Sequence, residues 1–498
     1  MINLSVEDWN LHTIEAILNN DKIELSGDIE KNVRQNRSFL ENKVDETEGP
    51  IYGINTGFGS LCDVAIPQES IHQLQTNLVR SHACGTGGEV PEEIIRLIQA
   101  LKIKNLSYAN SGIRYELLTH MINVYNAEVR PVIYQQGSLG ASGDLAPLAH
   151  LALCLLGEGE ATWNGEKRDA LWALTQNNIK AISLRGKEGL ALLNGTQFST
   201  SYLAYAVYHG EKLYHLANLV TALSYYSYDC GLDPLDNRIH EVRRQEGQIK
   251  TAAELVALLE GSGLKAQNKE YVQDPYAFRC VPQVHGASYD AIQYAKRIMQ
   301  NEINAVTDNP LVFSDTDAIL SGGNFHAQPI ALACDFLAIA LAELGSISER
   351  RVYNLVDGKR NLPNYLAEKS GLNSGFMIAQ YTAAAIVSEN KQLCTPSSID
   401  SITSSKGQED HVSMAANAGR KLYTVVNNLY QILGIELVTA CQAIELRGAE
   451  NLNKKLANVY DVVRNKIPYV KEDVVLGELL RRGKRILFDD YDALMISN

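Results

Sequence analysis

The chain has 498 residues, a formal net charge of -13 and 45% hydrophobic residues. That acidity, with no stripe of Lys and Arg able to neutralise phosphates, argues against nucleic acid as a partner. Only 13 prolines interrupt the chain and no Pro-rich, Ser-rich or single-charge stretch separates independent halves, so one continuous architecture with a large core and long helices is expected.

Eight cysteines, at 62, 84, 154, 230, 280, 334, 394 and 441, show no Cys-x-x-Cys pairing, and the start Met-Ile-Asn-Leu-Ser-Val-Glu-Asp has no basic region followed by an apolar one. No disulfide, metal site or secretion is expected, and the compartment read from this is the reduced cytoplasm. Apolar runs such as residues 330 to 335 are broken by charge short of the roughly 20 residues that span a bilayer, so no membrane segment is expected either.

In chain order, Ser5-Val-Glu-Asp8 resembles a capping box for a short helix through Ile14 and Leu18, and residues 28 to 46 repeat apolar positions at helical spacing. Ile51-Tyr-Gly-Ile-Asn-Thr-Gly-Phe-Gly59 has too many glycines for a helix and reads as a loop able to pass close to a ligand; it carries Tyr52. Ile71, Leu74, Leu78 and Val79 predict an amphipathic helix that ends near His82, with Gly85-Thr-Gly-Gly88 as the stop. His82 there is a cap or surface residue unless it has a partner. Two more helices fall within residues 91 to 128.

Gly140-Ala141-Ser142-Gly143-Asp144 comes next. With no side chain at Gly143 to hinder it, a bent backbone brings the Gly143 nitrogen to the Ala141 carbonyl carbon; loss of water closes a five-membered ring. A second dehydration at Ser142 leaves an exocyclic methylene, an electrophile made from the chain alone. The bland alternative is a small-residue turn that caps the following helix. That helix, from Asp144, is apolar around nearly its whole circumference and is expected to be buried, its positive end toward the tripeptide.

Trp163-Asn-Gly-Glu166 signals a hairpin. Gly189-Leu-Ala-Leu-Leu-Asn194 leads into a long apolar helix, where Asn194 is either a helix cap or an amide facing a ligand. Gln273-Asp-Pro-Tyr276-Ala-Phe-Arg279 reads as a loop, and Arg279 offers the donor fork that a carboxylate needs. Residues 311 to 313 and 318 to 320 form a second hairpin before Gly322-Gly-Asn-Phe325. Helices are expected over about 285–304, 328–356, 376–393 and from near Glu409 to 446, with shorter ones to the end. Helices this long argue for a central bundle, and their apolar faces for oligomerisation.

The fold expected is all-α: a long central helical bundle (residues 189–498) and a helical N-terminal lobe (residues 1–188) carrying the site loops and minor β-hairpins. Together the segments around Tyr52, Ser81-His82, Ala141-Ser142-Gly143, Asn194, Gln273 to Arg279, Phe325 and Gln408-Glu409-Asp410 resemble the aromatic amino acid ammonia-lyase family. The resemblance runs from Tyr52 to about His411 and carries the motifs in family order.

It implies that Ala141, Ser142 and Gly143 form the cofactor 4-methylidene-imidazol-5-one (MIO), with no external cofactor and no metal. It implies Tyr52 as the base, Asn194, Tyr276 and Gln273 as orienting groups, Arg279 on the substrate carboxylate, Phe325 shielding the ring, and a homotetramer with shared sites. Among the family's branches the chain looks most like the one acting on histidine, because Glu409 suits an imidazole N–H, with His82 on the other ring nitrogen, whereas other branches carry an amide there. Lys406-Gly407, Val281 and His285 depart from that branch. A tyrosine or phenylalanine lyase or aminomutase is the alternative, and a catalytically silent helical scaffold the third reading.

Overall fold

The computed structural model describes residues 1–47, 49, 51, 53–57, 64, 66–266 and 271–495. Helices dominate, and the strands are short pairs or triplets. Two compact units are present, each discontinuous in sequence: one takes Met1–Tyr208, Lys296–Asp335 and Pro396–Arg420, the other His209–Ala295, Phe336–Thr395 and Lys421–Asn498. The sequence had suggested a division at residue 188; the first unit instead runs on to Tyr208 and collects two later segments.

In the first unit, strand Ile2–Leu4 pairs in parallel with Ile23–Leu25. The helix between them, Leu11–Leu18, is capped by Asn10, whose side chain accepts from the amides of His12 and Thr13 while Thr13 returns a bond. Asn10 and not Ser5 therefore starts this helix, since the chain is still leaving the strand at Ser5. Helix Gly27–Glu46 follows as expected. Its buried Asn36 donates to Val312 O (3.0 Å) and accepts from Gly112 N (2.9 Å), which ties the hairpin Leu311–Phe313/Ala318–Leu320 to the helix.

Helix Ile71–His82 packs on Leu145–Leu155 and on Glu188–Leu193. Leu145–Leu155 buries Leu148, Leu151, Cys154 and Leu155 together with its alanines, as its all-round apolarity requires. Beyond His82 the glycines do more than stop a helix: Thr86–Glu89 is a strand antiparallel to Tyr134–Gln136. The Trp163–Glu166 hairpin gains a third strand, Arg130–Pro131.

Four of the five boundaries between the units fall inside helices, Gln197–Ser227, Val281–Glu302, Gln328–Val356 and Ala415–Arg447, and the fifth falls between Thr395 and Pro396, after helix Met377–Leu393. The longest has 33 residues, about 50 Å at 1.5 Å per residue. Gln328–Val356 and Ala415–Arg447 are long and apolar enough to cross a bilayer, contrary to the expectation that charge breaks such runs early. Their most apolar stretches are 67% and 83% buried in the protein, so what they face is core.

In the second unit a wholly buried ion pair sits among these apolar surfaces. Arg351 donates to Glu436 Oε1 at 2.5 Å and to Oε2 at 2.9 Å. The hydroxyls of Ser224 and Ser348 supply the remaining donors, at 2.7 and 2.5 Å. A carboxylate so satisfied tolerates burial, but removing one member strands the other's charge or polarity. Glu436→Leu is expected to destabilise the protein by about 3–5 kcal/mol, read as a lower denaturant midpoint. A surface control, Glu30→Ala at an exposed i,i+4 pair, is expected to shift it little.

Candidate active site

The chain doubles back across Ser142: Ala141 and Gly143 are bridged to each other, and Gly143 is bridged to Gly195. Gly143 has φ +80° and Gly195 φ +125°, both in the region that favours glycine. A Cβ added to Gly143 would stand 2.2 Å from Gly195 O. The same carbonyl accepts from Asp144 N at 2.8 Å, which starts helix Leu145–Leu155.

The Asp144 carboxylate is buried and accepts from Ser138 Oγ (2.8 Å), Ser199 N (2.9 Å) and Ser199 Oγ (2.9 Å). Burial raises this carboxyl above its usual range, and the serine donors oppose the shift. The approach to the tripeptide is fastened separately: Met414 N donates to Leu139 O (2.9 Å) and Ser413 Oγ to Gly140 O (3.1 Å).

The Ser142 hydroxyl donates to Glu409 Oε1 at 3.0 Å, and Ser404 Oγ donates to Oε2 at 2.8 Å. Glu409 lies in a loop, paired with Ser404 through the backbone, six residues ahead of helix Ala415–Arg447. It is therefore not a first-turn helix charge: the chain stays irregular through residues 410–414, with Met414 left-handed, before that helix begins, while the left-handed Ser405, Lys406 and Gly407 turn the loop ahead of Glu409. Lys406-Gly407, which departs from the histidine branch, forms that turn.

Asn194 ends helix Glu188–Leu193. Its Nδ2 donates to Asn309 O at 2.8 Å, which fixes the amide and leaves Oδ1 as its other face. Asn309 is in turn held by Asp308, whose carboxylate is paired with the fully buried Lys187 at 2.7 Å.

His82 Nδ1 is 2.8 Å from Leu78 O, so this nitrogen carries the hydrogen and Nε2 is the acceptor of the neutral ring. Burial lowers its pKa, against the opposing charge of Glu409.

Ser142, Asn194, His82 and Glu409 line one cavity of about 560 Å³, otherwise walled largely by leucines such as Leu74 and Leu193. A few polar groups converging in an apolar pocket are the usual form of a small-molecule site. Phe325 stands half-buried in the bend before helix Gln328–Val356 and does not line this cavity.

Gln273, Tyr276 and Arg279 belong to the second unit. Gln273 and Arg279 line another cavity, of about 650 Å³, while Tyr276 is 69% exposed with the Arg279 guanidinium 4.5 Å over its ring. Arg279 Nε is buried without an acceptor. His285 is a buried neutral acceptor for Arg351, its pKa driven well down by burial, and belongs to the core beside Val281. Tyr52 lies outside the described residues.

Ser404, Gly195 and Asn309 were not anticipated from sequence. Nothing marks Ser404 in the sequence, since its role comes from a five-residue loop closing on itself; Gly195, directly after Asn194 in a helix break, was the readable signal.

The aromatic amino acid lyase family profile matches residues 9–465. The chain belongs to this family. It is a carbon–nitrogen lyase. A histidine ammonia-lyase of Alkaliphilus oremlandii is 47% identical over 469 residues, 94% of this chain and 92% of that one. The crystal structure of histidine ammonia-lyase from Trypanosoma cruzi matches with a TM-score of 0.93 at 39% identity, covering 100% of this chain and 94% of that one. The tyrosine aminomutase of Streptomyces globisporus matches with a TM-score of 0.95 at 32% identity, covering 100% and 99%.

The family turn at residues 141–143 is expected to tolerate no side chain at its last position. Gly143→Ala combines a left-handed backbone, costing about 1–2 kcal/mol, with the clash on Gly195 O, and urea unfolding should show at least that loss. Gly27→Ala, whose added Cβ meets nothing within 4 Å, is the control expected to keep full stability.

Proposed function

We propose that the chain is an L-histidine ammonia-lyase, which eliminates ammonia from L-histidine to give trans-urocanate, the first step of histidine degradation. The observation that carries this reading is the pairing of the Glu409 carboxylate and the His82 imidazole with Ser142 in a single cavity.

The residues present fit an MIO group formed from Ala141-Ser142-Gly143: the two ends of the tripeptide are bridged, and a Cβ at Gly143 is excluded. Such a group supplies an electrophilic methylene, so that the substrate's amine leaves as part of a stabilised system.

Glu409 and the Nε2 of His82 both offer acceptors, which suits a ring that carries N–H donors, as an imidazole protonated on both nitrogens does, better than a phenyl ring. Asn194, its Nδ2 occupied by Asn309, presents Oδ1 to a bound amine. By the family resemblance, Tyr52 takes the β-proton, Arg279 binds the substrate carboxylate with its unpartnered Nε at hand, Gln273 and Tyr276 orient the substrate, and Phe325 shields the ring. Because Gln273 and Arg279 line a different cavity from Ser142, we read the enzyme as a homotetramer whose sites draw on more than one chain. The seven described cysteines carry free thiols, which suits the cytoplasm. The likeness to a tyrosine aminomutase keeps a tyrosine-directed activity as the second reading.

The deciding experiment incubates the protein with histidine, tyrosine and phenylalanine separately and records which unsaturated acid appears; urocanate is expected. Glu409→Ala should collapse histidine turnover while the protein stays folded, since a site built on polar partners rejects an unmatched ligand by roughly 10⁴-fold or more. Wild type that prefers tyrosine would overturn the histidine reading.

Intact-mass measurement should find the wild type lighter than its sequence by two waters, and Ser142→Ala at the full mass of its own sequence and inactive. The rate should rise toward mildly alkaline pH, where both the Tyr52 phenolate and the unprotonated substrate amine form. Tyr52→Phe should lose about 10²- to 10⁴-fold in kcat, the range typical of general base catalysis.

A further inference from the structure

Lys102, on helix Glu92–Ser107, is fully buried, yet its amine ends on neutral oxygens. Nζ donates to the backbone carbonyl of Asn194 at 2.5 Å and to Gln197 Oε1 at 3.4 Å. The neighbouring buried lysine, Lys187, has a carboxylate at 2.7 Å. Burying an amine without an ion-pair partner is unfavourable, and burial draws the Lys102 pKa down to about 7. The charges of Asp308 and Asp144 offset part of that cost from a distance, and the direct partner of the amine is the Asn194 carbonyl.

The peptide it grips is the one on which the site turns. Asn194 faces the Ser142 cavity, and the next residue, Gly195, lies under Gly143 and accepts from Asp144 N. Lys102 holds the carbonyl of Asn194, Leu190 O the backbone N–H and Asn309 O the side chain, while Asp144 N holds the Gly195 carbonyl. Without Lys102, the Asn194 carbonyl loses its side-chain donor, and the peptide that carries the Asn194 side chain is held less firmly.

We infer that Lys102 is a positioning residue of the elimination, acting through Asn194: its amine holds the Asn194–Gly195 peptide so that the Asn194 side chain meets the substrate in register with Ser142. This rests on the reading of Ala141–Gly143 as the electrophile and of Asn194 as a group touching the substrate.

The test is a double-mutant cycle on the full-length protein, with kcat and KM for histidine measured on wild type, Lys102→Met, Asn194→Ala and the double variant, each checked by intact mass. Lys102→Met should lose two waters as wild type does and lower kcat by about 10²-fold, the cost of a misplaced group of this kind, with KM little changed. The double variant should be no slower than Asn194→Ala alone, because a residue acting through Asn194 has nothing left to position.

An unchanged kcat in Lys102→Met, or losses that multiply in the double variant as a general structural defect would make them, overturns the inference. So does a Lys102→Met protein that stays at its encoded mass. If Lys102→Met is recovered unfolded, Lys102→Gln, which keeps an N–H donor on a shorter stem, enters the cycle with the same outcomes. Wild type at its full encoded mass, or Asn194→Ala with wild-type kcat, refutes the underlying reading and is distinguishable from both.

Discussion

The site depends on one close approach of backbone to backbone, that of Gly143 to Gly195. Neither residue can carry a side chain there: the added atom would overlap a carbonyl oxygen at Gly143 and the Gln197 and Thr307 side chains at Gly195. From this contact the remainder follows in both chain directions. Asp144 N finds its acceptor and opens a buried helix; the Asp144 carboxylate reaches Ser199 in the first turn of another; and Asn194 is delivered to the cavity wall by the residue it precedes. Two helix starts and one amide are set by the absence of two methyl groups.

Much of this was legible in the sequence, and for identifiable reasons. Helix Gln328–Val356 and the hairpin Leu311–Phe313/Ala318–Leu320 have the bounds read from periodicity and turn residues, because a strong local pattern there agrees with burial. At the tripeptide the sharp backbone expected at Gly143 is present, with φ +80°, because only glycine fits against Gly195 O. Ser5 was misread as a cap because Asn10, five residues on, satisfies the same amides better. Thr86–Glu89 was missed as a strand since its glycines have no side-chain pattern and its partner is about 50 residues away. The long C-terminal helix was expected from near Glu409 but begins at Ala415, because Glu409 lies in the loop that pairs with Ser404 and the left-handed Met414 stands just ahead of the helix, features that no propensity signals at those residues.

The polar interior follows a second logic. In the first unit, Lys187 and Asp308 neutralise each other and thereby hold Asn309, which holds Asn194. In the second, Arg351 and Glu436 are saturated by two serines and touch no cavity named above. Ionised groups are buried in both; the first set reaches the Ser142 cavity through Asn309 and Asn194, and the second reaches the Gln273–Arg279 segment through Arg351 on the Ala277 carbonyl. Spacing alone cannot separate the two kinds, since each residue lies on an otherwise apolar helix or beside one; the hydrogen-bond partners do so at once.

Glu409 also differs from Asn194 and His82, which stand at helix ends in the same cavity, by what it does not carry. Its loop closes on Ser404, its backbone enters no helix, and the long helix that follows is fastened to the tripeptide by Ser413 and Met414 instead. The loop that carries Glu409 is thus closed by different bonds from those that fasten the approach to the tripeptide, and it meets the tripeptide at the Ser142 hydroxyl. If that loop sets the choice of amino acid as proposed, substitutions within it can alter the choice while the bonds of Ser413 and Met414 to the tripeptide's approach stay in place.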